Sequence, residues 1–433
     1  MGIFTIKEKY LEKKLLYLIY FTGFFGAAFF SVNLGLFTLF PYRFFLLSLV
    51  FVFFLKTLLV QKIVLNYSHI KIYIYFLFFW LLYSIISMTW AASKGDAIRD
   101  ITFLLMSFLL IFFSIYYFLE KNDFINLYNI WLVVLCVLIL VGFWERMTGS
   151  HLSVSKLFSE TRPWVRYNPT GTFHNTNDYA TYIALSIPFV LAVFRYIRKK
   201  YIRIFCIVVF FASFYLIVQT GSRANIIAVL FEFLFIFIFL ININKKIKFL
   251  ISFLILIIIF SVMFPMGNVY QLYTDTVTEL NSLVHQLKLM EGSMGVRVNL
   301  IKNGLYFLYS TAGFGVGAGN AEYYMEHFSQ YNTGGILNPH NWWLEILVNY
   351  GVIIFFGYIS FYIGIIMNLL KIFQKNILKI EKMICEALLV SMVGFFVASM
   401  SSSSILAFKP QWLLFAFALS FINYFHRKKE IEV

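Results

Sequence analysis

Long apolar runs separated by short polar segments dominate the chain. A helix that crosses about 30 Å of hydrocarbon needs roughly 20 mostly apolar residues. The runs of this kind predict about twelve transmembrane helices, at approximately 15–34, 42–60, 72–91, 101–119, 127–145, 177–194, 204–219, 225–241, 249–266, 342–366, 384–401 and 409–425. The pattern indicates an all-α, polytopic membrane protein.

Two connections on the predicted outer side are much longer than the others, at about 146–176 and 267–341. In the second, apolar residues recur at helical spacing between Leu300 and Leu308. Long loops with structure of their own are usually functional. We therefore predict an N-terminal transmembrane bundle of about nine helices (1–266), an extracytoplasmic helical loop that closes the site (267–341), and C-terminal transmembrane helices (342–433).

Composition narrows the class of protein. The 433 residues are 61% hydrophobic and 13% charged, whereas soluble domains are roughly 45–50% apolar and about 25% charged. A water-soluble fold, a disordered chain and a nucleic-acid-binding basic protein are therefore excluded. Most of the 35 Lys and Arg residues lie in segments at one side of the predicted spans, where the positive-inside rule places the cytoplasm. Both termini are expected in the cytoplasm and the loop 267–341 outside.

The basic residues predicted to lie outside are mostly Arg, whereas the inner ones are mostly Lys. Arg binds phosphate through two parallel hydrogen bonds and stays charged near a bilayer. Arg223 directly follows Ser222, which is placed to cap the helix expected to begin there. An Arg side chain beside the positive end of a helix dipole favours a bound anion. These residues indicate an anionic ligand on the outer side, such as a lipid phosphate or diphosphate.

His340 stands out as a candidate base, in the stretch Asn338-Pro339-His340-Asn341. Asn338 is expected to be the N-cap of a transmembrane helix and Pro339 its first residue. His340 would then occupy the first turn, where the helix dipole disfavours imidazolium and keeps the ring neutral at pH 7. The alternative interpretation is an interfacial histidine among the tryptophans of an aromatic belt.

Several short motifs occur in an order that is more specific than any one of them. They are Gly171-Thr172-Phe173-His174-Asn175, Gly221-Ser222-Arg223, Gly295-Val296-Arg297, Gly313-Phe314-Gly315-Val316-Gly317, and Pro339-His340-Asn341 with Leu344-Glu345 and Gly351. Together with the predicted topology, they resemble the O-antigen ligase/polymerase superfamily of bacterial envelope glycosyltransferases, over about 168–352. The run 315–322 followed by 338–351 particularly resembles teichuronic acid polymerases of Gram-positive bacteria.

The resemblance implies a membrane glycosyltransferase of the GT-C type in the bacterial cytoplasmic membrane, with its active site facing outside. It would polymerise undecaprenyl-diphosphate-linked oligosaccharide repeat units into an envelope polysaccharide, inverting the anomeric centre without a metal or other cofactor. Its partners would be the lipid-linked glycan donor, a glycan or lipid-linked glycan acceptor and membrane lipids, with a flippase and a chain-length regulator in the same process. No nucleic acid is expected.

The resemblance also implies roles for individual residues. His340 matches the essential histidine of the superfamily, and Arg223 and Arg297 match its diphosphate-binding arginines. Arg43 follows the first outer turn, where a further arginine is often found. Three motif residues are expected to support the site: Ser222, Asn341 and Glu345.

Two alternative functions stay open from the sequence. An O-antigen ligase would use the same chemistry but transfer the lipid-linked glycan to lipid A–core. A flippase or exporter of lipid-linked glycans would also have about twelve spans and an anion site, but it is expected to carry charges in a cavity open to both sides. Here the candidate polar residues are concentrated on the predicted outer side.

Overall fold

The structure, a computed structural model, describes residues 4–33, 38–60, 68–241, 292–402 and 406–432. Its longer helices follow the apolar runs of the sequence. In chain order, the α-helices are α1 (Phe4–Gly23), α2 (Pro41–Val60), α3 (Lys71–Ser87), α4 (Lys94–Tyr117), α5 (Lys121–Thr148), α6 (Pro163–Arg166), α7 (Thr176–Tyr196), α8 (Lys200–Gln219), α9 (Arg223–Phe235), α10 (Gly292–Ser310), α11 (Ala321–His327), α12 (Trp342–Phe373), α13 (Lys379–Ala398) and α14 (Lys409–Glu432). A 3₁₀ turn (Ser68–Ile70) precedes α3, and a π-helical turn (Ile236–Leu240) extends α9.

Within the described ranges, seven helices are long and apolar enough to cross a membrane: α2, α4, α5, α7, α8, α9 with its π-helical turn, and α12. The shorter apolar helix α3 adds to them. The prediction of an all-α, multi-pass membrane protein is therefore confirmed at this level. The total of about twelve spans, the GT-C type and the three-part division stay predictions, because the predicted span 249–266 and part of the loop 267–341 lie outside the described residues.

The first predicted span, 15–34, is wrong at both ends. The helix α1 begins earlier and ends at Gly23, and Gly26 follows with φ +54, in the left-handed region that favours glycine. A two-stranded antiparallel hairpin then pairs Val32–Asn33 with Thr38–Leu39. Apolar residues continue through this hairpin, so hydropathy alone extends the span past the true end of the helix.

The most buried helices form the centre of the bundle. Almost every side chain of α7 is buried, from Asp178 to Val193, and α13 packs against both α7 and α9. The C-terminal helix α14 is buried from Trp412 to Phe425 and packs against α4. Aromatic rings fill much of this interior, and the Trp131 and Phe189 rings stack with their centroids 4.6 Å apart. A core of this kind holds helices together by close packing, because lipid provides little hydrophobic driving force between them.

The helix α12 is broken at Gly351, whose φ of +74 and ψ of −175 are not helical. The break frees backbone carbonyl groups, and a glycine-rich loop binds them: Val316 N donates to Val348 O at 2.8 Å, and Gly317 N donates to Asn349 O at 3.0 Å. Val352 N donates in return to Gly313 O at 2.9 Å.

The approach of this loop to α12 requires glycine at position 315. A Cβ atom added at Gly315 would lie 2.5 Å from Gly351 N and 2.8 Å from Asn349 O. The alternating glycines of the sequence thus allow the backbone of the loop to approach the backbone of α12 closely where the helix is broken. Broken helices are tolerated at membrane depth when other protein groups satisfy the freed backbone in this way.

Ion pairs join neighbouring helices at the ends that carry the predicted cytoplasmic charges. Lys13 Nζ lies 3.0 Å from Asp123 Oδ2, and Lys428 Nζ lies 3.0 Å from Glu381 Oε1. Both carboxylates are buried. The basic residues of these segments therefore help to hold the helix ends together, in addition to any role in orientation.

The orientation of the chain can be tested by labelling single cysteines in cells. Gln330→Cys and Asn376→Cys, both at exposed positions, should be introduced after replacement of Cys136, Cys206 and Cys385. A thiol reagent that does not cross membranes should label position 330 and not position 376, because the positive-inside rule places them on opposite faces. The reverse result would overturn the assignment of the site to the outer side.

Candidate active site

His340 lies immediately before α12 and not in its first turn. The N-cap is Asn341, whose side chain accepts a hydrogen bond from Leu344 N at 3.2 Å. The prediction that Asn338 caps the helix is wrong, because its Oδ1 accepts from His340 N at 2.8 Å in a local turn. His340 consequently has φ +46, in the left-handed region.

The backbone of His340 is strained. A non-glycine residue held at positive φ costs about 1–3 kcal/mol, and such residues cluster at functional sites. The start of α12 is fixed independently, since Trp342 N donates to Ser399 O at the end of α13 at 3.1 Å. The imidazole ring therefore belongs to a residue with a strained backbone, directly before a helix whose start is fixed by α13.

Burial lowers the pKa of His340 below its usual value, and the positive charges of Lys156 and Arg297 lower it further. Asp178 and Glu322 oppose this shift but do not cancel it. In addition, Nδ1 is buried and has no hydrogen-bond partner among the described residues. Nδ1 therefore has no acceptor nearby that would favour the imidazolium form. The ring is thus neutral at pH 7, as expected from the sequence, but because of burial and nearby cations and not because of a helix dipole.

Arg297 lies on α10, with its side chain exposed and close enough to His340 for its charge to act on the ring. Buried Asn303, on the same helix, fixes the segment that leads to His340. Its Nδ2 donates to Tyr331 O at 2.8 Å, and its Oδ1 accepts from Gln330 N and Tyr331 N, both at 2.9 Å. Arg297 therefore lies near His340, and its role in binding a diphosphate stays a prediction.

Arg223 is the first residue of α9 and is exposed. Ser222 occupies the N-cap position, but its side chain makes no capping hydrogen bond, so that prediction is wrong. Its Oγ accepts instead from Asn225 Nδ2 at 2.8 Å, and the same amide lies 3.3 Å from Ser401 Oγ. The side chain of Asn225 turns back and uses the hydroxyl that would otherwise cap the helix.

The link from Arg223 to His340 is indirect. Ser402, the residue after Ser401, donates from Oγ to Asp178 Oδ1 at 3.2 Å, and Asp178 is one of the charges that act on His340. The start of α9 is therefore joined to the site through the segment that follows α13. Convergence of Arg223 on His340 stays a prediction.

Arg43 lies near the start of α2 and is buried. Its Nη1 donates to Thr38 O in the hairpin at 2.6 Å. The guanidinium carbon lies 4.8 Å from the centroid of the Phe40 ring and 5.3 Å from that of Phe103. Arg43 thus helps to hold the hairpin against α4, and its role in binding an anion stays a prediction.

Two cavities lie on either side of the segment around Ala407, which lines both. The first, of about 280 Å³, we call the acidic cavity. Its walls carry four carboxylates, of Asp96, Asp100, Glu322 and Glu345, together with Arg99 and Asn349.

The second cavity, of about 230 Å³, we call the lysine cavity. It is bounded by the end of α1, by Thr172, Phe173, His174 and Asp178, and by Lys409 and Pro410 at the start of α14. Among the charges that act on His340, Glu322 lines the acidic cavity and Asp178 lines the lysine cavity. His340 is therefore close to both cavities.

Sequence reasoning missed Glu322 and Asn303 and assigned no role in the site to Asp178. Its carboxylate is held by Asn175, whose Nδ2 donates to Oδ2 at 2.9 Å and whose Oδ1 accepts from Asp178 N at 2.9 Å. Within the described ranges, no group of three His, Cys, Asp or Glu side chains could hold a metal ion.

A buried network fixes the loop that leads to Asp178. His151 Nδ1 lies 3.0 Å from Glu145 Oε1, and Nε2 lies 2.6 Å from the carbonyl oxygen of Arg166. Glu145 Oε2 also accepts from the backbone N–H groups of Thr170 and Gly171, at 2.7 and 2.6 Å. Both ring nitrogens of His151 face acceptors, an arrangement that favours the imidazolium form.

The environment of His151 supports this charge. Burial alone would lower the pKa of His151, but the hydrogen bonds to Glu145 and to the Arg166 carbonyl, with the charge of Glu145, outweigh it and raise the pKa. The ion pair is buried on both sides. The loop between α5 and α7 is therefore clamped by a charged pair just before the GTFHN motif.

A neutral imidazole near two polar cavities, with Arg297, Asp178 and Glu322 close enough for their charges to act on it, lies at one end of a multi-pass helical bundle. The chain matches the O-antigen ligase family over residues 208–359, which contain Arg223, Arg297 and His340. It is similar to the teichuronic acid biosynthesis protein TuaE of Bacillus subtilis (strain 168), with 31% identity over 437 aligned residues that cover 99% of this chain and 87% of that protein. The chain belongs to the O-antigen ligase/polymerase family.

Membership of this family confirms the resemblance drawn from the motifs. The chain is thus a membrane enzyme of polysaccharide biosynthesis, of the glycosyltransferase or polymerase type. The family implies lipid-linked glycans as substrates.

The clamp around His151 predicts a specific pH dependence of stability. Because the folded-state pKa is raised, the stabilisation is fully present below the unfolded value of about 6.5 and is lost as pH rises through the folded pKa. The melting temperature of the purified protein should therefore fall as pH rises above about 6.5 and through the raised pKa of His151. In His151→Gln this fall should be smaller.

His327→Gln provides the control, because the half-exposed His327 lies on α11 and takes no part in the clamp. It should keep the wild-type pH dependence. An unchanged dependence in His151→Gln would show that His151 is not the group whose titration is measured.

Proposed function

We propose that the protein polymerises lipid-diphosphate-linked oligosaccharide repeat units on the outer face of the cytoplasmic membrane, with His340 as general base. The observation that carries the proposal is the neutral, strained His340 beside Arg297. A neutral imidazole accepts a proton from a hydroxyl group, and an adjacent arginine stabilises negative charge on a phosphate. Both are needed for glycosyl transfer from a lipid diphosphate, and neither requires a metal.

In the proposed reaction, an acceptor hydroxyl attacks the anomeric carbon of the donor. The new glycosidic C–O bond forms as the bond from the anomeric carbon to the diphosphate oxygen breaks, with inversion. The proton of the hydroxyl passes to His340, and we assign its acceptance to Nε2 because Nδ1 is enclosed. The leaving lipid diphosphate takes the electron pair, and the proton then passes from His340 to solvent.

The arginines would act on the leaving group. Negative charge grows on the diphosphate in the transition state, and fixed cations at that position lower the barrier. Arg297 is the best supported of the three, because its charge already acts on His340. Arg223 adds a cation at the start of α9, and Arg43 would act from the side of the hairpin.

The choice between polymerase and ligase depends on the acceptor. Similarity to a teichuronic acid biosynthesis protein over almost the whole chain favours polymerisation. Purified enzyme offered only lipid-linked repeat units should make longer glycans and release the lipid diphosphate. No chain growth without a separate acceptor would indicate a ligase, and movement of the substrate without release of the lipid diphosphate would indicate a flippase or exporter.

The role of His340 can be tested by measuring turnover and donor binding separately. His340→Ala should lower turnover by about 10²–10⁴-fold, the usual contribution of a general base, whereas donor binding should stay close to normal. The wild-type rate should be constant near pH 7 and fall as pH drops through the lowered pKa, because only the neutral ring accepts a proton. His327→Ala, at an exposed site on α11, should behave as wild type.

If donor binding is lost together with turnover in His340→Ala, the histidine is a ligand of the diphosphate and not the base. A rate that does not fall at low pH would likewise contradict the assignment.

The arginines can be tested with charge-conserving substitutions. Arg223→Lys and Arg297→Lys should each reduce turnover by about 10- to 150-fold, because Lys keeps the charge but loses the paired hydrogen bonds. Arg162→Lys is a matched control, since this outer arginine is exposed and already paired with Glu160 at 2.6 Å. Near-wild-type turnover in both test variants would indicate general surface electrostatics.

Arg297 provides a further measurement. Its positive charge lowers the pKa of His340, so Arg297→Gln should move the acidic limb of the pH–rate profile to higher pH. A purely structural role of Arg297 would leave the limb where it is.

A further inference from the structure

Lys409, at the start of α14, lies on the wall of the lysine cavity and is half-buried. Within the described part of the chain, its Nζ contacts the carbonyl oxygen of Ala407 at 3.5 Å and two aromatic rings, and no carboxylate pairs with it. The rings are those of Phe40 and Tyr42, with centroids 5.1 and 5.9 Å from Nζ. A half-buried ammonium loses hydration that one distant carbonyl and two rings only partly replace.

A second cation shares the same aromatic ring. The guanidinium carbon of Arg43 lies 4.8 Å from the centroid of Phe40, so two positive charges lie around one side chain. Like charges around one ring repel each other, and partial burial strengthens the repulsion. An anion in the lysine cavity beside Lys409 would offset this repulsion.

The rest of the cavity limits which anion fits. The wall carries Asp178, whose carboxylate accepts hydrogen bonds from Asn175 and Ser402. A ligand there must therefore present an anionic oxygen to Lys409 and hydrogen-bond donors to Asp178. A sugar that carries an anionic group beside free hydroxyls has this chemistry, whereas a simple inorganic anion does not.

The volume and position of the cavity agree with such a ligand. About 230 Å³ accommodates one sugar ring with its substituents. Asp178 also acts on His340, so a sugar in the lysine cavity lies close to the candidate base. Apolar side chains, including Phe24 and Phe408, line part of the same cavity and offer surfaces for the faces of the ring.

We propose that the lysine cavity binds an anionic sugar unit of the glycan, with Lys409 as the residue that pairs with its oxyanion and Asp178 as the acceptor of its hydroxyl protons. The inference rests on the proposed function, because that function supplies a glycan next to His340. The oxyanion has two possible sources: a carboxylate on a sugar ring, or the phosphate next to the first sugar of the donor.

The experiment measures binding and not turnover, using the full chain in a neutral detergent. The probes are glucuronate, its uncharged counterpart glucose, and undecaprenyl diphosphate. Wild type should bind at least one of the two anionic probes, and Lys409→Gln should weaken that binding about tenfold or more. Lys409→Arg should restore part of the affinity. Glucose should bind weakly and equally to all variants.

The control is Lys302→Gln. Lys302 is a basic residue of α10 whose Nζ lies 5.2 Å from the Tyr331 ring, and it does not line the lysine cavity. Its substitution removes the same charge and a similar cation–π contact. Equal melting temperatures of the Gln variants and wild type would show that Lys409→Gln is folded, and Lys409→Arg provides a folded comparison if it is not.

The two sources give different results. Loss of glucuronate affinity alone assigns the oxyanion to a sugar carboxylate, and loss of undecaprenyl diphosphate affinity alone assigns it to the donor phosphate. If Lys409→Gln leaves both affinities within twofold of wild type, or if Lys302→Gln weakens them equally, the proposal is overturned. Because no arm depends on chain growth, these results are independent of whether the protein is a polymerase.

Discussion

The contact between the broken helix α12 and the glycine-rich loop holds together the two elements that carry Arg297 and follow His340. A helix break at membrane depth is stable only if protein groups replace the lost intrahelical hydrogen bonds. Here the loop provides them, and it can do so because Gly315 and Gly351 allow two backbones to touch. The same loop joins α10, which carries Arg297, to α11, which begins after Asn320.

Further hydrogen bonds anchor this loop to the α3–α4 connection: Asn320 Oδ1 accepts from Ser93 N at 2.7 Å, and Trp90 Nε1 donates to Gly315 O at 3.0 Å. Direct packing adds to this attachment, because Leu300 and Phe307 of α10 lie in one apolar cluster with Leu344 and Val348 of α12. The position of Arg297 relative to the start of α12 therefore depends on contacts made away from both Arg297 and His340. Two side chains placed in this way need no direct bond, because each is held by its own rigid element.

The sequence was most informative about the helices and least informative about the turns between them. Hydropathy located the helices because a run of about 20 apolar residues is typical of a membrane-spanning helix and rare elsewhere. It failed at α1, where apolar residues continue into a hairpin. The start of α12 was misplaced because Asn338-Pro339 is a common helix start, and only the structure shows that Asn341 is the cap. A local pattern cannot decide between two competing asparagines.

The candidate site was predictable to the extent that it lies in motifs. His340 was found from its place before a predicted helix and from the resemblance, and Arg297 from the resemblance; the charge of Arg297 acts on His340 in the structure. Asp178, Glu322 and Asn303 become recognisable only when distant segments meet. Asn303, for example, is an ordinary polar residue in the sequence, yet it is fully buried and makes hydrogen bonds to the segment 330–331. Such tertiary contacts leave no trace in the periodicity of one chain.

The placement of His340 near both the acidic and the lysine cavity bears on how one site can handle two glycans. A polymerase must hold a donor and an acceptor at once, with the reacting atoms within about 3–3.5 Å of each other. Two separate cavities that meet at the Ala407 segment permit this without one chain displacing the other. Under the proposed function, the walls of the acidic cavity, which carry four acidic side chains and one arginine, would disfavour the donor diphosphate. A part of the acceptor that presents hydroxyl groups would be the better occupant there, and the donor diphosphate would lie on the side of the arginines.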